Sequence, residues 1–481
     1  MTPSGPAIAA SAENRLARTA WRSGVLGMGT VVVLSAVAAF APGVLLGIAR
    51  GAGLSGDLRI GPALVTLGAC AAAMLAAELW LRRRSEGPLW VRSRQLAAGR
   101  RGAFAAECLL TYVLGGLALG VAAAGYWMAG EYGRAGGAAY YQPWFALLDA
   151  ALRGYVWLAP PYIVLTRALQ EAPEADRRGV TVLLLKLACA RPGLPVLRGL
   201  LRLREPAARA VLRHDLFGSA TDPGFGRFTA QDAIAIRGLL VKLFFVPLMT
   251  VFFVDQFFHL SHNFQFLGLA LVTNPLSLLG SLDLYNIAFT LVFAVDVGLA
   301  WAGYVISSRW VKTAMVSVEP TLLGWAVALL CYPPFQQAFG NYFTVPPEKG
   351  FLSIPSPWAV GVFATLSVAS YFIYMSATVV FGLRFSNLTH RGIVTTGPYA
   401  YIRHPAYAAK NLAWWTVMMP YVLYRVVAGG RLHDLVPLVG LAALTVLYYL
   451  RAITEERHLC ADPEYVEYCK RVPYRFIPKV L

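Results

Sequence analysis

The sequence predicts an all-α, polytopic integral membrane protein with about ten transmembrane helices and both termini cytoplasmic. Three observations carry this. Of the 481 residues, 57% are hydrophobic and 14% charged, with a mean hydropathy of +0.56, which disfavours a water-soluble globule. Apolar runs of roughly 20 residues, enough to cross about 30 Å of hydrocarbon, begin near Gly24, Ile60, Phe104, Trp144, Ile236, Leu284, Val316, Trp358, Pro405 and Leu435. The basic residues follow topology. Of the 42 Lys and Arg, 31 fall before residue 24 and in segments 82–103, 169–234, 308–313, 383–404 and 451–481, against five in the intervening outer segments. The formal charge of +17 therefore reflects orientation in a bilayer, and no nucleic-acid partner is expected. The expected location is the inner membrane of a bacterium.

Four regions follow in order. Residues 1–168 form an N-terminal four-helix membrane region, 169–234 a basic cytoplasmic loop, 235–355 a central membrane region and 356–481 a C-terminal membrane core with a cytoplasmic last helix. The first apolar run follows Arg15, Arg18 and Arg22, and its small residues from Ala36 to Ala41 could suit signal cleavage. Its continuation into "PGVLLGIA" favours a first membrane span. "GAGLSG", residues 51–56, spells the dinucleotide fingerprint, but it joins two membrane helices instead of a strand and a helix, and reads as a turn. In the basic loop, Val196, Leu197, Leu200, Leu201 and Leu203 alternate with Arg198, Arg202 and Arg204. That pattern suits either a helix lying on an anionic leaflet or a basic linker. Pro160-Pro161 and Pro333-Pro334 fall inside expected spans, where they should kink or break the helix.

Two polar features lie inside the apolar runs. Asp255, His259 and His262 share one helix face, a spacing open to metal ligation or to ordinary interfacial polarity. Asp296, in "LVFAVDVGLAW", is costly in hydrocarbon and needs a partner or an aqueous cavity, with Lys242 or Asp255 of the preceding span as candidate partners. The six cysteines show no C-x-x-C pairing, so neither a disulfide framework nor a zinc site is expected.

The densest chemistry is "NLTHRGIVTTGPYAYIRHPAYAAKNLAWW" followed by "LYYLRAITEERHLCADPEYVEYCKRVPYRFIPKVL". Pro405 suits the first turn of a helix, placing Arg403 and His404 at its start and Tyr407 and Asn411 on one face. Asp462-Pro463 reads as an N-cap followed by proline at the first helical position, opening a short helix that stops before Pro473. The span between ends with Arg451, Glu455, Glu456 and His458. Antiparallel packing then brings Arg403, His404 and Tyr407 close to Glu455 and Glu456. Such a cluster could hold a zwitterion with a flat ring, or form an interfacial belt with an Arg451–Glu455 pair.

The string "THRGIVTTGPYAYIRHPAY", with "EE" and "YVEYCKRVP" in order after it, resembles the C-terminal signature of the isoprenylcysteine carboxyl methyltransferase and phospholipid methyltransferase families, over about the last hundred residues. The resemblance implies a membrane methyltransferase that uses S-adenosylmethionine, with the lipid bilayer and a lipophilic substrate as partners and no metal. It implies that Arg403, His404, Pro405, Tyr407, Glu455 and Glu456 form the cofactor site, with Glu456 on a cofactor hydroxyl or ammonium. Arg471 would lie near the reacting centre, with Glu455 or His404 as base for an amine acceptor. The chain departs from the pattern at Ala409, where a glycine is usual, and in the Lys410-Asn411 that follows. Asp296, Lys410 and Asn411 are the candidate substrate contacts. The rival readings are a transporter or binding protein working through Asp296 and the His259/His262 pair, and a small-thiol or amine methyltransferase of the same superfamily.

Overall fold

The structure, a computed structural model, describes residues 5–86, 90–92, 99, 101–129, 132, 139–171, 230–274, 282–336, 350–351, 354–429 and 431–480. The basic pattern at 196–204 lies outside them. Among the described residues there are twelve α-helices: α1 (Gly5–Phe40), α2 (Pro42–Gly51), α3 (Ile60–Glu86), α4 (Arg101–Met128), α5 (Gln142–Ala168), α6 (Ala230–Thr273), α7 (Leu282–Val305), α8 (Leu322–Leu329), α9 (Pro357–Phe381), α10 (Pro405–Val427), α11 (Val436–Leu459) and α12 (Pro463–Arg471). Seven of these, α1, α3, α4, α6, α7, α9 and α11, are long and apolar enough to cross a membrane. Four short strands pair antiparallel in twos: β1 (Trp90–Arg92) with β2 (Leu169–Glu171), and β3 (Ser317–Val318) with β4 (Thr389–His390).

The chain divides into two compact units that alternate in sequence. One comprises residues 79–251 and 308–314. Its helices α4 and α5 meet where Gly115 and Gly116 leave room for the Tyr155 ring, which stacks on Tyr112 at 5.3 Å. The buried Glu107 accepts from Arg167 at 2.7 Å. Pro160 and Pro161 sit inside α5, which remains one helix.

The other unit, residues 1–78, 252–307 and 315–481, carries the candidate site. Here α9 packs against α10, α7 and α1, and α10 against α11. Inside it the buried Glu78 and Arg384 pair at 2.8 Å, and Ser23 donates to the same carboxylate at 3.0 Å. Arg391 caps α7: its Nη1 donates to the Gly303 carbonyl at 2.5 Å and the Ile306 carbonyl at 3.4 Å, so a buried cation meets the negative end of the helix.

The run from Val316 departs from expectation. Its start lies beside β4, with the Glu319 N–H on the Leu388 carbonyl at 2.8 Å, whereas Phe351 packs on Tyr285 and Val417. Tyr285 belongs to the first turn of α7 and Gly303 to its last, so the described ends of this segment lie at opposite ends of α7. Its described helix, α8, has only eight residues, about 12 Å at 1.5 Å per residue. Thr321 caps the start of α8, and the chain leaves helical geometry before Pro333-Pro334. Proline supplies no N–H to continue a ladder there, and the expected span is a broken one.

Candidate functional site

The start of α10, the end of α11 and the segment after α12 converge as local chemistry predicts. Pro405 opens α10, and the Asp462 carboxylate caps α12 by accepting from the Glu464 N–H at 2.8 Å. Tyr465 and Tyr468 on the inner face of α12 pack with Ile393 and Val472, and the Tyr468 hydroxyl donates to the Tyr399 carbonyl at 2.7 Å. Burial raises the pKa of both phenols, so they remain neutral donors.

Glu456 is the knot of this convergence. Its Oε1 accepts from Arg403 Nε at 2.7 Å and from His404 Nε2 at 3.1 Å, while Oε2 accepts from Arg475 Nε at 2.9 Å. The strap beyond α12 is held at the same point by its backbone. The N–H groups of Arg403 and His404 donate to the Tyr474 and Arg475 carbonyls, each at 2.9 Å, and Arg403 Nη1 donates to the Val472 and Pro473 carbonyls. Burial works against the Arg403 charge, yet the Glu456 carboxylate holds its pKa above the ordinary value. A carboxylate with three donors, two of them guanidinium groups, has little capacity left for a ligand, and Glu456 does not line the cavity described next.

Glu455 does. The cavity, partly open to solvent, lies between α9, α10, α11, α12 and the segment 384–403. Tyr407 donates to Glu455 Oε2 at 2.6 Å and stacks on His404 at 5.4 Å. The expected Arg451–Glu455 pair is absent among the described residues. Arg451 instead donates to Asn387 Oδ1, and its guanidinium stands 5.1 Å from the Tyr407 ring centre, 5.7 Å from Tyr448 and 5.9 Å from Tyr332. Asn387 is fixed in turn by the hydroxyls of Tyr304 and Tyr332, at 2.6 and 3.0 Å from its Nδ2.

At the other end of the cavity, buried donors lack partners among the described residues. Thr389 Oγ1, Arg391 Nε and Arg391 Nη2 make no hydrogen bond, and His390 Nε2 stands 3.6 Å from Asp462 Oδ2 without one. Burial pushes the Arg391 guanidinium down to about 10 and lowers the His390 imidazole below its usual 6.5, although Asp462 pulls His390 back up. The "THR" of the quoted string thus supplies polar wall that periodicity had no means to single out.

The other candidates separate. Lys410 lines the cavity, its ammonium 5.2 Å from the Tyr374 ring centre and 5.3 Å from that of Trp414. Asn411 folds back onto the Tyr407 carbonyl at 3.0 Å, and neither it nor Pro405 lines the cavity. Arg471 is exposed at the end of α12, away from the lining. Asp296 accepts from Tyr374 at 2.6 Å and from Thr378, so its hydrogen-bond partners come from α9 and not from the preceding span. Asp255 pairs with Arg59 at 2.8 Å, and His259 and His262 belong to no group of three metal-capable side chains among the described residues.

No protein-family model matches the chain, no curated protein matches its sequence and no solved structure matches its fold.

Proposed function

We propose that the chain is an integral-membrane methyltransferase that uses S-adenosylmethionine and methylates a lipid-like or membrane-partitioned acceptor. The observation that carries this reading is the cavity at the "THRGIVTTGPYAYIRHPAY" string, with orphaned donors at one end and aromatic walls at the other. Its mixture of a few polar groups on aromatic walls is what small-molecule sites use.

The residues present suit the cofactor. Thr389, His390 and Arg391 would hold its polar end, and Tyr399, Tyr465 and Tyr468 offer faces for a flat ring. When bound, S-adenosylmethionine supplies an electrophilic methyl group on a sulfonium. The chain's own part is alignment and water exclusion, since an in-line displacement needs donor and acceptor held within contact. Glu455 is the carboxylate placed to take a proton from an amine acceptor, because His404 already gives its Nε2 proton to Glu456. The knot at Glu456 positions Arg403 and His404 and closes the strap.

The topology we propose crosses the bilayer ten times, with both termini and the cavity mouth cytoplasmic, as the basic-residue distribution supports. Helices α5 and α10, with 27 and 23 residues, join the seven long apolar helices. The tenth crossing is the broken segment through α8, irregular backbone of the kind tolerated where protein surrounds it. A bacterial inner membrane suits this arrangement.

The test uses membranes containing the protein and methyl-labelled S-adenosylmethionine, with label counted in the extracted lipid. Label lost in Arg391→Met and Glu455→Gln supports the reading, and its release by mild base marks an ester rather than an amine. No transfer, together with no cofactor binding by the purified protein, overturns it.

A further inference from the structure

A second group of reactive side chains lies where β3 meets the last turn of α11, and the proposed function does not use it. The Val316 and Glu319 N–H groups donate to the His390 and Leu388 carbonyls at 2.9 and 2.8 Å, which holds this segment extended along β4. Side chains two apart on an extended segment share a face, so Ser317 and Glu319 point together while Val318, between them, points the other way and is buried. Both meet His458, one at each ring nitrogen. Ser317 Oγ stands 2.8 Å from Nε2, and Glu319 Oε2 stands 3.9 Å from Nδ1, an ion-pair distance beyond hydrogen-bond reach. The other Glu319 oxygen is fixed in place: Oε1 accepts from the Thr321 N–H at 3.0 Å, from the Thr321 hydroxyl and from Arg457 Nη2 at 3.1 Å. The Glu319 and His458 side chains are 3% and 8% exposed, whereas Ser317 is only half-buried, so the supporting pair is dry and the hydroxyl lies nearer the surface. None of the three lines the cavity assigned to the cofactor.

A hydroxyl on one imidazole nitrogen and a carboxylate facing the other is the arrangement that activates a serine: the ring takes the hydroxyl proton, and the acid orients the ring and stabilises the imidazolium. We infer that Ser317, His458 and Glu319 form an acyl-transfer site that hydrolyses carboxylic esters of apolar acyl chains. With the Nδ1 proton toward Glu319, Nε2 accepts from the Ser317 hydroxyl. Ser317 Oγ bonds to the ester carbonyl carbon as its proton passes to Nε2. Collapse of the tetrahedral adduct breaks the bond to the alcohol oxygen, which leaves with that proton. Water then adds to the acyl carbon, giving a proton to Nε2, and serine leaves with it as the carboxylic acid is released. Arg457, about half exposed and already on Glu319, is the cation beside a developing oxyanion. Glu319 touches no reacting atom and is a positioning residue. The surroundings set the substrate class. From 314 to 324 the exposed residues are Val316, Pro320, Leu322 and Leu323, all apolar, so an acyl chain meets favourable surface there and a sugar or charged group does not. The site is independent of methyl transfer.

The experiment treats the purified full chain, in an alkyl maltoside, with a rhodamine-tagged alkyl fluorophosphonate and maps the labelled peptide. Hydrolysis of p-nitrophenyl octanoate and p-nitrophenyl acetate is followed in parallel. Label should fall on Ser317, and kcat/KM for the octanoate should exceed that for the acetate by at least about ten-fold. Ser317→Ala should abolish both labelling and hydrolysis. His458→Ala should slow them at least about a hundred-fold, and added imidazole should restore part of the rate, as it would not for a merely structural side chain. Glu319→Gln should lower kcat about ten-fold or more with KM unchanged, and Glu319→Asp should recover part of it. Should His458→Ala or Glu319→Gln fail to fold, the labelled position in the unaltered chain and the Ser317→Ala result still decide. No label at Ser317, or octanoate hydrolysis that survives Ser317→Ala, overturns the site. A lowered unfolding midpoint in Ser317→Ala with no labelling of the unaltered chain makes the contact a tether between β3 and α11, and overturns it as well. Acetate hydrolysed as fast as octanoate overturns the apolar substrate.

Discussion

Glu455 and Glu456 are neighbours on the last turn of α11 and serve different regions. Glu456 faces the strap and is closed by Arg403, His404 and Arg475, all positively charged or able to be so. Glu455 faces the cavity with a single phenol, and Arg451, one turn before it on α11, turns to an amide and aromatic rings. One carboxylate is consumed by structure and the other lines the cavity. The cause is the 100° advance of a helix per residue, which aims adjacent side chains at different surroundings.

The sharpest way to break this contrast is Glu456→Ala. It leaves Arg403, His404 and Arg475 clustered without a counter-charge, and loss of one partner from a buried ion pair costs about 3–5 kcal/mol. Thermal unfolding of the purified protein should show a large drop in midpoint, and limited proteolysis should cut after α12. An unchanged midpoint would remove the knot. Tyr407→Phe is expected to cost less, about 1–2 kcal/mol, because it deletes one hydrogen bond and leaves the Glu455 carboxylate short of a donor.

Mild acid offers a third test on the cavity side. The folded-state pKa of His390 lies below its ordinary 6.5. Above pH 6.5 the imidazole is neutral folded or unfolded, so nothing is lost there. As pH falls below that value the unfolded chain takes up a proton that the folded one resists, and stability declines toward the folded pKa. His390→Gln should flatten this acid limb of the unfolding midpoint, and an unaltered limb would exclude His390 as its source. The smallest effect belongs to Glu455→Gln. Its amide oxygen can still accept from Tyr407, so stability should change by less than about 1 kcal/mol while ligand affinity changes. A stability loss as large as that of Glu456→Ala would dissolve the distinction between the two.

Local chemistry made part of this legible in the sequence. Pro405 and Asp462-Pro463 marked helix starts because they act within one turn, and antiparallel packing then forced α10 and α11 to share an end. The division of labour between Glu455 and Glu456 was not legible, since it depends on helix rotation that a run of apolar residues leaves undetermined. Asp296 looked to the preceding span for a partner because charge attracts attention. Its hydrogen-bond partners, Tyr374 and Thr378, are residues whose hydroxyls leave no mark on a hydropathy pattern, and the cation that attracts it, Lys410, lies on α10. The run from Val316 had the composition of a span, and composition does not see that Thr321 starts a helix that ends after eight residues.

The close seam between α1 and α9 bears on modularity. A Cβ at Gly24 would lie 1.9 Å from the Val379 carbonyl oxygen, and Gly382, at φ +51°, would place one 2.4 Å from that of Ala20. Only glycine allows that approach. The next turn carries Arg384, whose counter-ion Glu78 comes from α3. The C-terminal helices around the cavity are therefore not a detachable cassette: cut from the first eighty residues, they would lose the seam and expose a buried guanidinium beside the cavity. Grafting or minimising this core has to begin with the helices at the other end of the chain.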